Sequence, residues 1–297
     1  MEVQPASGDF KPKTVIYAAD FSLCSENAGP FAALLATQFN AEFLIAHGFV
    51  LSQSAMELEA ESSRGSKSLQ RIDLETALDE AARRFGHNAS QPKTLLLEGD
   101  PRQVIPVLAK QRAPSIVVLG TSGRGMIERG LVGSVAERIL RTNNGPSLTV
   151  GPQVPPLKPE PPAFRRVLYA TGLSSAAAQG ARYAVAIAKA FNASMEVLHV
   201  AHEDDVERPE QLKALQQRFH EVLDGLVPEQ AETLSEPSAV IELGRAHERI
   251  LKHIQETSAD LLVLSIRKSS HLWLQSRLSG AFNIISNAPC PVLTITG

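Results

Sequence analysis

The part of the sequence with the clearest chemical potential is rich in glycine. The chain has 19 glycines in 297 residues, and five of them fall within positions 120–133, in the segment GTSGRGMIERGLVGSVAERI. This segment follows the apolar run 115–119, which has the composition of a buried strand. Because glycine lacks a side chain, its backbone can approach a ligand closely, and a helix that begins after Gly133 would direct its first amides and its dipole at an anion. The pattern favours phosphate binding.

Two common nucleotide-binding motifs are absent from the sequence. The segment 125–130 begins and ends on glycine, but Leu131 and Val132 follow it where a Walker A loop requires Lys and Ser or Thr. No GxGxxG follows the first predicted strand. The spacing that is present is Gly120-x2-Gly123-x9-Gly133-Ser134.

Composition and charge narrow the classes of partner. Lys and Arg total 29 against 32 for Asp and Glu, so a net charge of -3 gives no global attraction to nucleic acid or to an anionic membrane. Only Cys24 and Cys290 are present, far apart, which argues against a disulfide framework or a structural zinc site. The first residues form no apolar signal segment, and no later run approaches about 18 apolar residues. We expect a cytoplasmic protein with no nucleic-acid or membrane partner.

The sequence repeats itself across a proline-rich segment. Residues 152–162 hold six prolines in eleven positions, a composition typical of a stiff connector. On either side of it, matching segments occur at an offset of 152 and then of 145. These are YAADFS (17–22) with YATGLS (169–174), FNAEFLIAH (39–47) with FNASMEVLH (191–199), IVVL (116–119) with LLVL (261–264), and GPSLTV (145–150) with CPVLTI (290–295). We predict domains at 1–151 and 165–297, joined by a linker at 152–164.

Short β-branched runs alternate with helical stretches in each half, which predicts an α/β fold with parallel sheets. The predicted strands lie near 14–19, 42–48, 93–98, 115–120 and 147–151 in the first half, and near 165–171, 194–201, 238–243, 261–266 and 291–296 in the second. The predicted helices of the first half lie near 24–39, 68–86, 101–112 and 134–142. Ser22 and Asp100-Pro101 predict helix starts, and Ser134 to Glu137 reads as a capping box.

With these residues in view, the chain resembles a tandem universal stress protein. In that family the pattern G-x2-G-x9-G-S/T marks the members that bind ATP, and an Asp after the first strand contacts adenine; Asp20 stands at that place. The resemblance covers essentially the whole chain. It implies two Rossmann-like domains of the adenine nucleotide alpha hydrolase-like type, each a five-stranded parallel sheet flanked by helices. It also implies an intrachain pseudo-dimer, with the strands at 147–151 and 291–296 at the contact between the domains.

The resemblance further implies a nucleotide site in the first domain. Asp20 and the backbone around Gly48 would hold adenine, and the remaining residues would line ribose and phosphates. The residues implied are Ala19, Asp20, Gly48, Gly120, Thr121, Gly123, Arg124, Gly133, Ser134 and the amide of Val135. Three of the assignments have a structural alternative. Ser134 and Asp20 are also helix-capping residue types, and Arg124, like Arg129, could be a solvated loop charge.

The second half departs from the pattern at every anchor. Gly120, Gly123 and Gly133 align with Ser265, Lys268 and Leu278, and Asp20 aligns with Gly172. Side chains in place of glycine would obstruct a phosphate, and Gly172 has no group that could accept a hydrogen bond from adenine. We therefore expect the second domain to lack the nucleotide site. The alternative is that Arg267 and Lys268 bind some other anion.

The expected function is regulatory ATP binding in a stress response, one nucleotide per chain, with or without Mg²⁺. A homodimer and an unidentified protein partner are further expectations. The alternatives are a slow ATPase or a nucleotide-free scaffold, but neither a Walker lysine nor an evident general base is present, so we predict no catalytic residue and at most weak ATP hydrolysis. The pairs His199-x2-His202 and His247-x5-His253 lack a suitable third ligand at hand, so no metal site is predicted.

Overall fold

A computed structural model describes most of the chain. The described residues are 10–54, 56, 68–86, 91–122, 132–157, 164–172, 177–202, 210–211, 213–217, 219, 238–266 and 275–296. The chain divides into two compact units. We call Pro12–Pro162 with Ile266–Gly297 the large unit, and Met1–Lys11 with Ala163–Ser265 the small unit.

Strands and helices alternate along the chain as the sequence predicts. In chain order the elements are β1 Thr14–Ala18, α1 Leu23–Phe39, β2 Glu42–Phe49, α2 Leu69–Phe85, β3 Lys93–Glu98, α3 Pro101–Gln111, β4 Ser115–Gly120, α4 Ser134–Thr142, β5 Ser147–Val150, β6 Arg166–Ala170, α5 Ala177–Phe191, β7 Ser194–Ala201, β8 Ser238–Leu243, α6 Ala246–Thr257, β9 Leu261–Ile266, α7 Gln275–Asn287 and β10 Val292–Thr296. All ten predicted strands and the four predicted helices of the first half are confirmed to within two residues at each end.

The sheet of the large unit has the strand order β3-β2-β1-β4-β5-β10. Its first five strands are parallel, with Val15 paired to Phe43 on one side and to Ile116 on the other. The sixth strand, β10, comes from the end of the chain and runs antiparallel to β5, with Val292 opposite Thr149. The last strands of the two sequence repeats therefore pair with each other, and the sheet is mostly rather than entirely parallel.

The strands of the small unit pair in the order β9-β6-β7-β8, and all of them are parallel. Matching backbone features confirm both repeat offsets. Asn40 and Asn192, 152 residues apart, both have φ of 50°, and Gly99 and Gly244, 145 residues apart, have φ of 133° and 134°. The two repeats therefore share the same turns as well as the same strands.

Strands β1, β2 and β4 form the centre of the large unit because their side chains are apolar on both faces. Val15, Ile16 and Val117 are fully buried, as expected of parallel strands covered by helices. On one face, α3 and α4 complete a core that contains Ile16, Leu44, Ala46, Ile105, Leu108, Ala109, Val117, Leu119, Ala136 and Ile139. On the other face, the hydroxyl of Tyr17 donates to the carbonyl of Ser25 at 2.7 Å and so ties the start of α1 to β1.

Two of the three predicted helix starts are confirmed. The Ser22 hydroxyl accepts from the Ser25 amide at 3.2 Å, and Asp100 precedes Pro101 and accepts from the Arg102 amide at 2.9 Å. Both caps fix helices that begin at the carboxyl ends of strands.

The predicted capping box at Ser134 is wrong. Gly133 is the N-cap of α4, and it supplies no side-chain hydrogen bond. Its amide donates to the Thr121 carbonyl at 2.7 Å, which holds Gly133 extended and makes Ser134 the first helical residue. Glu137 pairs with Arg141 at 2.8 Å.

Candidate functional site

A cavity of about 250 Å³ lies at the carboxyl ends of β1, β2 and β4. Strand β1 has β2 on one side and β4 on the other. The direction in which successive strands are added to the sheet therefore reverses at β1. In open parallel sheets this switch point is where ligands bind. Small-molecule pockets span about 300–1,000 Å³, so the cavity is slightly smaller than that range.

Eight of the ten residues predicted for the site line this one cavity. They are Ala19, Asp20, Gly48, Gly120, Thr121, Gly133, Ser134 and Val135. They come from four separate stretches of the sequence, so their convergence depends on the parallel order of the strands. The other two predicted residues, Gly123 and Arg124, lie outside the described residues.

Asp20 takes part in a tight turn at the entrance to α1. Its Oδ1 accepts from the Ser22 amide at 2.9 Å, and its own amide donates to Ser25 Oγ at 3.1 Å. The Asp20 residue is nevertheless exposed and lines the cavity. Asp20 therefore closes a turn before α1, whose N-cap is Ser22. Because a carboxylate has two oxygens with several lone pairs, Asp20 keeps acceptor capacity beyond that turn.

The opposite side of the cavity is the start of α4. The first amides of a helix have no intrahelical acceptor, and the N-cap here is a glycine with no side chain to meet them. Ser134, Val135 and Ala136 line the cavity at this point. These amides and the helix dipole form an electropositive end suited to an anion.

Thr121 lies at the end of β4 beside that helix start. It is 1% exposed, and its hydroxyl has no hydrogen-bond partner among the described residues. A buried hydroxyl without a partner costs about 1–3 kcal/mol. Thr121 lines the cavity, and its hydroxyl oxygen is itself buried.

Two of the glycines that line the cavity are explained by packing. A Cβ on Gly120 would lie 2.6 Å from Ser25 N and 2.7 Å from the carbonyl carbon of Cys24. A Cβ on Gly48 would lie 2.8 Å from Pro101 Cα. The sequence suggested that glycines allow backbone to approach a ligand, but at these two positions the close approach is to the first turns of α1 and α3.

The remaining walls are apolar residues that the motif did not predict. Ala18 pairs with Ala46 on β2 and with Leu119 on β4, and Ile105 of α3 completes this side. The only signal for them was their position at predicted strand ends, where two small alanines leave space between the strands. The cavity is therefore apolar in the middle and polar at its two ends.

His47 also lines the cavity, although it was not predicted as a site residue. Its Nδ1 lies 2.6 Å from the Ala19 carbonyl, so Nδ1 carries the proton that is donated. The ring of Phe21 lies 4.9 Å from the imidazole, centroid to centroid, and Phe21 has a φ of 58°. His47 thereby fixes the turn that carries Asp20.

Few of the described residues that line the cavity carry groups used in catalysis. Of the described residues that line it, only Asp20 and His47 are titratable, and none is a lysine or arginine. Phosphoryl transfer relies on stabilising the charge of the transferred group and on orienting a nucleophile. The described lining has the groups to bind an anion but no cationic side chain to stabilise such a transition state.

Two of the four matching positions in the second repeat are described, and both carry a different residue. Gly172 stands in place of Asp20, and Ser265 in place of Gly120 with its hydroxyl 3.3 Å from the Tyr169 hydroxyl. Lys268, Arg267 and the side chain of Leu278 lie outside the described residues.

Ligand-type side chains do gather in the small unit, where polar atoms of Glu242, His253 and Glu256 lie within 4.8 Å of one another. Both ring nitrogens of His253 already contact carboxylates, those of Glu242 and Glu196. In this arrangement the imidazole has no nitrogen available to an ion.

The sequence pattern of the Universal stress protein family matches residues 11–151 and again 163–296. The chain therefore belongs to that family, with two family domains in tandem. A universal stress protein of Methanocaldococcus jannaschii is 30% identical over 145 residues, which is 48% of this chain and 85% of that protein.

Solved structures show the same fold over nearly the whole chain. A universal stress protein from Archaeoglobus fulgidus matches with a TM-score of 0.75 at 20% identity, covering 97% of this chain and 99% of that one. A putative universal stress protein from Pseudomonas aeruginosa matches with a TM-score of 0.59 at 14% identity, covering 96% and 93%. In the part of the chain that the structure describes, no helix has both the length and the apolar character to cross a membrane.

The packing at Gly120 yields a test of how the cavity is built. We expect Gly120→Ala to push the first turn of α1 away from β4 and to lower the free energy of unfolding by about 1–3 kcal/mol, the usual cost of overpacking. Urea unfolding of the whole chain measures this. Gly172→Ala is the control, because a Cβ there meets nothing within 4 Å. Equal stability of the two variants would show that the close approach at Gly120 is unimportant.

Proposed function

We propose that the large unit binds one adenine nucleotide, ATP, and that the protein uses it as a regulatory ligand in a stress response. The observation that carries the proposal is the cavity at the switch point, with Asp20 at one end and the uncapped start of α4 at the other. Membership of the universal stress protein family supports the same reading.

The adenine would lie at the β1 and β2 end of the cavity. Asp20 would accept a hydrogen bond from the exocyclic amine of the base, and the backbone at Gly48 would contact the ring edge. Ala18, Ala46 and Leu119 supply apolar walls for its faces. An apolar pocket with a few polar groups is the usual form of a small-ligand site.

The phosphates would lie against the start of α4. The amides of Ser134, Val135 and Ala136 are the donors, and the helix dipole favours negative charge at this end. The buried Thr121 hydroxyl would gain a partner. Gly123 and Arg124 extend the proposal to the loop between β4 and α4.

A Mg²⁺ ion, if it accompanies ATP, would be held mainly by phosphate oxygens and water, as Mg²⁺ usually is. Asp20 is the single carboxylate among the described lining residues. We propose that the role of ATP is to stabilise a conformation, because the described lining residues offer little to stabilise a transferring phosphoryl group.

The small unit would not bind nucleotide in the same way, because Gly172 and Ser265 replace Asp20 and Gly120. The proposal is therefore one ATP per chain. Cys24 and Cys290 are free thiols, which supports the proposal of a cytoplasmic location. The proposal also includes a homodimer and an unidentified protein partner.

Calorimetric titration of the whole chain with ATP tests the stoichiometry, and we expect about one site. Gly133→Leu, which copies Leu278 of the second half, should abolish binding because a bulky side chain would stand at the phosphate end. Gly133 has φ of -62° and ψ of 151°, a conformation that leucine adopts, so the variant should remain folded. Leu278→Gly is the matched control and should leave one site.

The stoichiometry proposal fails if the wild type binds no ATP or binds it at two equivalent sites. It also fails if Gly133→Leu, shown to be folded by circular dichroism, binds ATP as tightly as the wild type.

Asp20→Asn tests the adenine end separately. Asparagine keeps an oxygen for the Ser22 amide, so the turn before α1 is retained, but the charge is lost. Hydrogen bonds to charged groups contribute about 1.5–3 kcal/mol, so ATP affinity should fall roughly 10- to 100-fold. Asp79→Asn is the control, because Asp79 is an exposed residue of α2 and its change removes the same charge away from the cavity. Unchanged affinity in Asp20→Asn would remove Asp20 from the proposed site.

A further inference from the structure

A histidine is buried between two glutamates in the small unit. His253 of α6 is 7% exposed. Its Nδ1 lies 2.6 Å from Glu242 Oε1 on β8, and its Nε2 contacts Glu196 Oε1 on β7. One imidazole therefore joins a helix to two neighbouring strands.

The large unit has leucines at all three matching positions. By the offsets of 152 and 145, Glu196, Glu242 and His253 correspond to Leu44, Leu97 and Leu108. Leu44 and Leu108 belong to the buried core of the large unit, and Leu97 packs against it. The same contact between a helix and two strands is apolar in one unit and ionisable in the other.

Both hydrogen bonds require a protonated imidazole. A neutral imidazole has one donor nitrogen and one acceptor nitrogen, whereas the imidazolium donates from both. Because each ring nitrogen of His253 faces a carboxylate oxygen, loss of the proton would turn one hydrogen bond into a contact between two lone pairs. The arrangement is complete only with the cation.

The other charged groups around the cluster do not replace that cation. On α6, Arg249 Nε lies 3.7 Å from Glu242 Oε2, and Glu256 is paired with Lys252 at 3.3 Å. On β8, Ser238 donates to Glu196 Oε2 at 3.0 Å but carries no charge. With His253 protonated, Glu196 and Glu242 face two cations, the imidazolium and Arg249, and without that proton Glu196 has none among these groups.

The balance of these effects raises the pKa of His253. Burial of the ring alone lowers the pKa, but the hydrogen bonds to Glu196 and Glu242 and the charges of those carboxylates outweigh it and raise the pKa above the ordinary 6.5. The direction agrees with the geometry.

We propose that the small unit is held together by a proton-dependent clamp, in which protonated His253 ties α6 to β7 and β8, and that the clamp loosens as rising pH removes that proton. The leucine contact of the large unit has no titrating group and is insensitive to pH in the same range. At this contact, the small unit therefore depends on pH and the large unit does not.

The sign and size of the effect follow from linkage. Because the pKa is higher in the folded than in the unfolded state, the clamp contributes fully below about pH 6.5 and is lost as pH rises through the folded pKa. Within that window one proton is released on opening, so the equilibrium constant for opening rises up to tenfold per pH unit.

Hydrogen exchange of the whole chain between pH 6 and 9, corrected for the intrinsic exchange rate, measures the opening of each element. In the wild type, opening of β7, β8 and α6 should rise with pH by up to tenfold per unit, while β2, β3 and α3 stay flat. The triple variant Glu196→Leu, Glu242→Leu and His253→Leu gives the small unit the three leucines that the large unit has at the matching positions. It should remove the dependence of opening on pH. His247→Leu removes a half-buried histidine of the same helix and should keep the pH dependence.

Nitrogen-15 NMR of the wild-type imidazoles gives a second reading that needs no variant to fold. His253 should carry protons on both ring nitrogens in more than half of the molecules at pH 6.5, because its pKa is raised above that ordinary value. A His253 that is mostly neutral at pH 6.5, or a flat exchange profile in the wild type, would overturn the proposal. So would stoichiometric Zn²⁺ binding at pH 7 that His253→Leu abolishes, because the cluster would then be a metal site.

Discussion

The candidate site depends on the close approach between the end of β4 and the start of α1. The absent side chain of Gly120 lets the backbone of Cys24 and Ser25 lie within van der Waals distance of the strand. That approach allows the Ser25 hydroxyl to receive the Asp20 amide and the Tyr17 hydroxyl to donate to the Ser25 carbonyl. The turn carrying Asp20 is thereby fixed against the end of β1, opposite α4. Without this contact the two polar ends of the cavity would not face each other.

The two repeats use one fold for two different polar arrangements. The large unit keeps an apolar contact of Leu44, Leu97 and Leu108 and leaves polar groups at the strand ends, where a ligand can reach them. The small unit loses the strand-end groups and places Glu196, Glu242 and His253 inside instead. Under the two proposals, the polar groups of the large unit bind an anion and the cluster of the small unit holds a proton. Burying polar groups is costly unless they are paired. Under the proposals, the stability of the large unit would therefore depend on the concentration of its ligand, and that of the small unit on pH.

The helices and strands could be predicted from the sequence because they depend on local patterns, whereas the residues of the cavity were predicted from the resemblance to the universal stress protein family. Apolar runs predicted the strands, and Ser22 and Asp100 predicted helix starts, since each acts within a few residues of itself. The misassigned cap at Ser134 has a tertiary cause, because the Gly133 amide is held by Thr121 from a neighbouring strand end. The cluster at His253 escaped prediction for the same reason. Its partners lie 11 and 57 residues away, whereas the sequence suggested only His247 as a companion.

The most direct test of the central claim is residue-level hydrogen exchange of the whole chain with and without saturating ATP. Protection should appear at the amides of Ser134, Val135 and Ala136 and at the ends of β1, β2 and β4. The matching strand ends of the small unit, at β6, β7 and β9, should be unchanged. Protection of both units alike, or none at the start of α4, would contradict a single nucleotide site built on that helix.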